Sequence, residues 1–185
     1  MKKYTLKAET AEILFSHIGF LNYSKNFLDA EKPIVVTKKE FNPVPYFLIC
    51  KSIELSLKAY QIQIWFYTKR EQLKEKYDGK LKNLLKNRYG HNLNKRLEDI
   101  LTNSEIFLPK SEVLNIRRAN TFYDVKNKTF EFANVGFAGN GFTKLADEIS
   151  ANGNKQKGEI LPELNLLRNS AKKLIEQVER EIKKG

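Results

Sequence analysis

Pro45-Tyr46-Phe47-Leu48-Ile49-Cys50-Lys51-Ser52-Ile53-Glu54-Leu55-Ser56-Leu57-Lys58-Ala59 is the stretch whose reading decides the fold. From residue 46 to about residue 75 no glycine or proline interrupts the chain, and the first half is apolar nearly all round. Such a segment predicts a central helix with neighbours on most of its sides. One polar stripe survives in it: Lys51, Glu54, Lys58 and Gln61, spaced three, four and three, which stacks them on a single face. Glu54 and Lys58 stand one turn apart and can pair, with the glutamate toward the N-terminus, the better orientation. If that pair is buried it needs further partners, since an unpaired buried charge costs on the order of several kcal/mol.

Working outward toward the N-terminus, Ala11, Leu14, Ile18, Leu21 and Leu28 fall near one face at helical spacing, with Phe15 and Phe20 widening it. This predicts a first helix over 10–28, stopped by Glu31-Lys32-Pro33, because proline cannot continue a helix. Asn42-Pro43-Val44-Pro45 is a stop followed by a start, and Pro45 suits the first turn of the central helix. Toward the C-terminus, Asp78-Gly79 reads as a turn and 80–86 as a short basic amphipathic piece. Tyr89-Gly90-His91-Asn92 breaks the pattern, and a helix with Leu93, Leu97, Ile100 and Leu101 inward follows, capped by His91 or Asn92. Leu108-Pro109-Lys110-Ser111 opens another helix, with Ser111 as candidate cap and Val113, Leu114, Ile116, Ala119 and Phe122 as candidate core. The last helix, 162–183, carries the stripe Leu164, Leu167, Ala171, Leu174, Val178, Ile182. Only 124–142 does not read as helical: Thr129-Phe130-Glu131-Phe132 alternates, and Gly136, Gly139 and Gly141 mark an irregular loop. The expected fold is all-α, a single-domain up-and-down bundle of about five to six helices over 1–185, with a small irregular or hairpin insertion near 125–142.

Composition narrows the function classes. The 185 residues are 41% hydrophobic and 30% charged, ordinary for a soluble globular chain and long enough to bury a core. The longest apolar candidate for a membrane span, 46–67, is broken by Lys51, Glu54 and Lys58, so no membrane partner is expected. The first residues, Met-Lys-Lys-Tyr-Thr-Leu-Lys, have no apolar run behind them and do not read as a signal peptide. A single cysteine, Cys50, suits a reducing cytoplasm, and its apolar surroundings favour a structural thiol over a nucleophile. Two histidines and one cysteine are too few ligands for an ordinary zinc site. Gly136-Phe137-Ala138-Gly139-Asn140-Gly141 lacks the Gly-Lys-Ser/Thr ending of a phosphate loop, so neither metal nor cofactor is expected.

Charge gives the first functional lead. The net charge is +11, and between Lys69 and Arg96 ten Lys or Arg stand against Glu71, Glu75 and Asp78, which is +7 of that total. A local basic field speeds encounter with polyanions and favours phosphate contacts. Arg88, Arg96, Arg117 and Arg118 are candidate phosphate contacts, and Arg117-Arg118 with Asn120 and Tyr123 make a candidate patch for phosphate and base stacking. The alternatives are a solvated lysine-rich surface and, for the two adjacent arginines, the wet face of an ordinary helix.

The stretch Pro45 to Ala59 resembles the helix written loosely as "aiEl-LKa" in HEPN-domain proteins. Gly90-His91-Asn92-Leu93 resembles the "GHdL" that follows in the same proteins, and Ala119-Asn120-Thr121-Phe122-Tyr123 is similar to an "LN-x-x-Y" helix end of related members. The resemblance runs over roughly residues 10 to 125. It implies a small helical bundle, often a homodimer, linked to RNA or nucleotide. It also implies a nucleotidyltransferase or antitoxin as partner and a bacterial defence or toxin–antitoxin setting. Catalytic members are metal-independent ribonucleases that use Arg-(x)4–6-His. Here Arg88 and His91 are too close, no arginine precedes His17, and no histidine follows His91. The nearest echo, Arg168-Asn169-Ser170-Ala171-Lys172-Lys173, has lysine in the histidine position, a poor proton shuttle near neutral pH.

The resemblance therefore implies a non-catalytic or divergent member that binds RNA or nucleotide. The alternatives are a structural, dimerising interaction module and a divergent ribonuclease using His91 with an arginine. Lys51, Glu54, Lys58 and His91 are the candidate polar site, since His91 at the chain break can give a ring N–H to Glu54. The same four residues can equally serve only to lock the central helix to the next.

Overall fold

The computed structural model describes residues 16–34, 42–69 (with side chains to 64), 90–123 and 162–184. These form five α-helices and, among the described residues, no strand. They are α1 (His17–Glu31), α2 (Pro43–Lys69), α3 (Leu93–Asn103), α4 (Lys110–Tyr123) and α5 (Leu164–Lys184). The all-α bundle expected from the periodicity is the architecture found. The basic piece at 80–86 and the insertion near 125–142 lie outside the described residues.

α2 is the axis of the bundle and packs against each of the other four helices. Ile49, Cys50, Ile53, Leu57, Ala59 and Ile62 are all fully buried, as an all-round apolar helix requires. It starts at Pro43, where a missing N–H is no loss, and Asn42 Oδ1 accepts from Val44 N at 3.0 Å. Against it, α1 approaches through serines. Ser52 Oγ donates to the Ser24 carbonyl at 2.7 Å, and the two hydroxyls lie 3.2 Å apart. Both serines are buried, so these cross-helix bonds satisfy groups that water does not reach.

The ends of the elements refine the sequence reading. α1 begins at His17, later than expected, because Ser16 is extended and its hydroxyl accepts from Gly19 N at 2.9 Å. It runs on to Glu31, and Pro33 follows. Ile18, expected on the inner face, is exposed; Leu21, Ser24, Leu28 and Glu31 form the buried stripe instead. Asn92, not His91, caps α3, accepting from Lys95 N at 2.9 Å. Ser111 is not a cap: α4 already includes it, and the Pro109 carbonyl accepts from Glu112 N and Val113 N. Leu114, expected in the core, is exposed, while Ile116, Ala119 and Phe122 are buried. Pro162 precedes α5 rather than lying in its first turn, and the buried stripe Leu167, Ala171, Leu174, Val178 is as expected. Asn92→Ala should destabilise the fold by about 1 kcal/mol, the usual worth of such a cap, read as a lower urea midpoint with unchanged slope.

Candidate functional site

The polar stripe of α2 closes around one carboxylate. Glu54 has no exposed side-chain surface, and four groups from three parts of the chain converge on it. Lys58, one turn on, bonds Oε1. Lys51, one turn back, reaches Oε2 at 3.3 Å. His91 Nδ1 lies 3.0 Å from Oε2, and the Tyr123 hydroxyl at the end of α4 donates to that same oxygen. An ionised carboxylate only accepts hydrogen bonds, so Nδ1 of His91 carries the proton that faces it. The imidazole also meets the Tyr123 ring edge-on, with centroids 6.4 Å apart, and the Phe47 ring packs against the same tyrosine at a tilt, with centroids 5.9 Å apart.

Electrostatics agree with that geometry. Burial alone would raise the Glu54 carboxyl, but the His91 bond and the charges of Lys58 and Lys51 outweigh it and hold the group well below the ordinary carboxylate range. Lys58 moves down as well: burial and repulsion from Arg96 and Lys51 exceed the attraction of Glu54. These two shifts have opposite consequences for the pair. Several positive groups crowd one carboxylate, which favours the anion and disfavours the charged form of Lys58. Cys50, buried one turn before Glu54, is pushed far above its ordinary value by burial and by that carboxylate, as befits a structural thiol.

The turn that presents His91 is held from below. Gly90 has φ 53°, a left-handed conformation that glycine adopts without penalty. Its carbonyl accepts from Arg96 Nη2 at 2.8 Å, while Nη1 donates to Gln61 Oε1 at 2.6 Å and Gln61 Nε2 reaches Asp99 at 3.3 Å. Arg96, grouped by sequence with the candidate phosphate contacts, is therefore fully buried and braces the turn against α2. Asn120 likewise points inward, accepting from Leu93 N at 2.7 Å at the start of α3.

Of the predicted site residues, the structure brings Lys51, Glu54, Lys58 and His91 together. Arg117 is exposed and Arg118 half-buried on α4, but Asn120 and Tyr123 are buried, so no shared patch forms with them. Arg88 lies outside the described residues. Sequence reasoning did not assign Tyr123 to Glu54, nor Arg96 to the turn. The register carries part of the missing signal: Arg96 stands three residues after Leu93 and four before Ile100, on the inward face of α3. The Arg168 to Lys173 echo resolves into packing contacts. Arg168 grips Glu31, and Ser170 and Lys173 both donate to Glu112.

Among the described residues no group of three or more His, Cys, Asp or Glu is arranged to hold a metal ion, and no helix is long and apolar enough to cross a membrane. No family model, curated protein or solved structure matches the chain.

Proposed function

We propose that this chain is a HEPN-like protein that binds RNA or nucleotide through phosphate contacts at the Lys51–Lys58–His91 edge. The observation that carries the reading is that each of these groups uses only part of its donor capacity on the buried Glu54. Their side chains remain 23%, 17% and 44% exposed respectively. An ammonium group has three N–H donors, and each lysine has one directed at the carboxylate. Glu54 thus acts as an internal anchor that orients cationic donors toward an anion arriving from outside. A homodimer, and a nucleotidyltransferase or antitoxin partner in a bacterial defence or toxin–antitoxin setting, belong to the same reading and rest on the family resemblance alone.

The test is a fluorescence-anisotropy titration with single-stranded RNA at two salt concentrations. Binding should weaken steeply as salt rises, the mark of phosphate contacts. His91→Ala should weaken it about tenfold at the lower salt, by loss of a charge-assisted or polar contact. Absence of binding at the lower salt sinks the RNA reading.

One observation favours a second reading, divergent ribonuclease activity. With Nδ1 fixed on Glu54, the ring is held in one orientation and Nε2 is turned away from the anchor, as a general base would be. Purified protein that leaves a mixed RNA substrate intact removes this reading without touching the binding one.

A further inference from the structure

We propose that the site takes a terminal phosphate, the monoester at the end of an RNA strand or on a nucleotide, in preference to an internal phosphodiester. The inference deepens the proposed function and rests on it. Its first support is depth. The Lys51 and Lys58 side chains are more than three-quarters covered, so an anion reaches them through a small exposed area and not along an open surface. An internal phosphodiester is flanked by two sugars and must lie along a surface; a terminal phosphate enters end-on.

The second support is the donor and charge inventory. Arg96 is engaged with Gln61 and the Gly90 carbonyl, and its charge adds to the positive field at Lys58. At the edge itself two lysines face the single Glu54 carboxylate, one positive charge in excess, with His91 beside them. Each lysine directs one of its three N–H donors at Glu54, and His91 directs one ring nitrogen there, so the rest of their capacity is available to an anion. A monoester offers three unesterified oxygens and about −1.5 to −2 charge near neutral pH, where a diester offers two oxygens and one charge. The three cationic or polar groups around Glu54 are therefore better matched by the monoester in both count and charge.

The experiment compares one single-stranded RNA sequence in three forms, with a 5′-phosphate, with a 3′-phosphate and with hydroxyls at both ends, titrated into the full chain. At least one phosphorylated form should bind about tenfold tighter than the hydroxyl-ended strand, the worth of one added charge-assisted contact. The two phosphorylated arms tell which end is read. Lys51→Gln should weaken binding of all three forms and bring the phosphorylated and hydroxyl-ended strands to within twofold of one another, a cooperative melting transition of the variant showing that it is folded. Equal affinity for all three forms overturns the terminal-phosphate proposal and leaves RNA binding intact. If no RNA form binds, nucleoside monophosphates and the matching nucleosides are compared by calorimetry. Binding of the monophosphate alone upholds the proposal for a nucleotide, and binding of neither overturns it together with the reading on which it rests.

Discussion

Glu54→Gln should lower the stability of the bundle by about 3–5 kcal/mol, the range for removing one partner of a buried charge cluster. Glutamine keeps the shape and some of the hydrogen bonding, so the loss comes from charge. Lys51 and Lys58 keep their positions beside one another and near Arg96 without the anion that both contact. Adding Lys58→Met to the variant should recover most of the loss, because the cation left behind is then gone. The pH dependence carries a separate signature. Glu54 titrates well below the ordinary carboxylate range in the folded chain, so the unfolded chain binds the proton more readily. Its contribution is fully present above the ordinary carboxylate range and is lost as pH falls through and below that range. Urea melts between about pH 2 and pH 7 should therefore show the wild type losing its advantage over Glu54→Gln on acidification. A difference that stays constant with pH would mean that Glu54 is not held as the anion.

How much of this cluster was legible depends on distance along the chain. Lys51, Glu54 and Lys58 are related by the helix period alone, and the glycine before His91 marked a turn able to bring an imidazole to them. Tyr123 is 69 residues from Glu54, and an aromatic residue at the end of an amphipathic helix reads equally well as plain core. Its hydroxyl is the part with a specific role, and periodicity does not distinguish that from the ring. Arg96 illustrates the reverse error. A positive residue in a basic stretch suggests a phosphate contact by charge, but its position on the face of Leu93 and Ile100 places it inward. The helices themselves were easier, because proline, asparagine caps and long stripes act locally. Ser111 has the residue type of a cap, but the backbone carbonyl of Pro109, invisible in composition, receives the first N–H groups of α4.

The second large effect is expected far from the candidate site, where Arg168→Ala should cost about 3–5 kcal/mol. Glu31 lies in the last turn of α1 with no exposed side-chain surface, at the negative end of the helix dipole. Burial and dipole both disfavour a carboxylate there, so it needs a cation from another element. Arg168 on α5 supplies it as a fork: Nε donates to Oε2 at 2.7 Å and Nη2 donates to Oε1. Arg168→Lys keeps the charge but offers no planar fork, and should cost about 2 kcal/mol. Glu31→Leu/Arg168→Leu removes both charges and keeps apolar volume, and should lie within about 1 kcal/mol of the wild type. A double-mutant cycle with denaturant melts reads the coupling directly. If Arg168→Ala proves as mild as an ordinary surface change, the pair is a solvated contact. If the loss is large and the double leucine variant restores it, the pair fixes how α1 and α5 meet, and the arginine of the Arg168 to Lys173 echo is a packing residue with no part in chemistry.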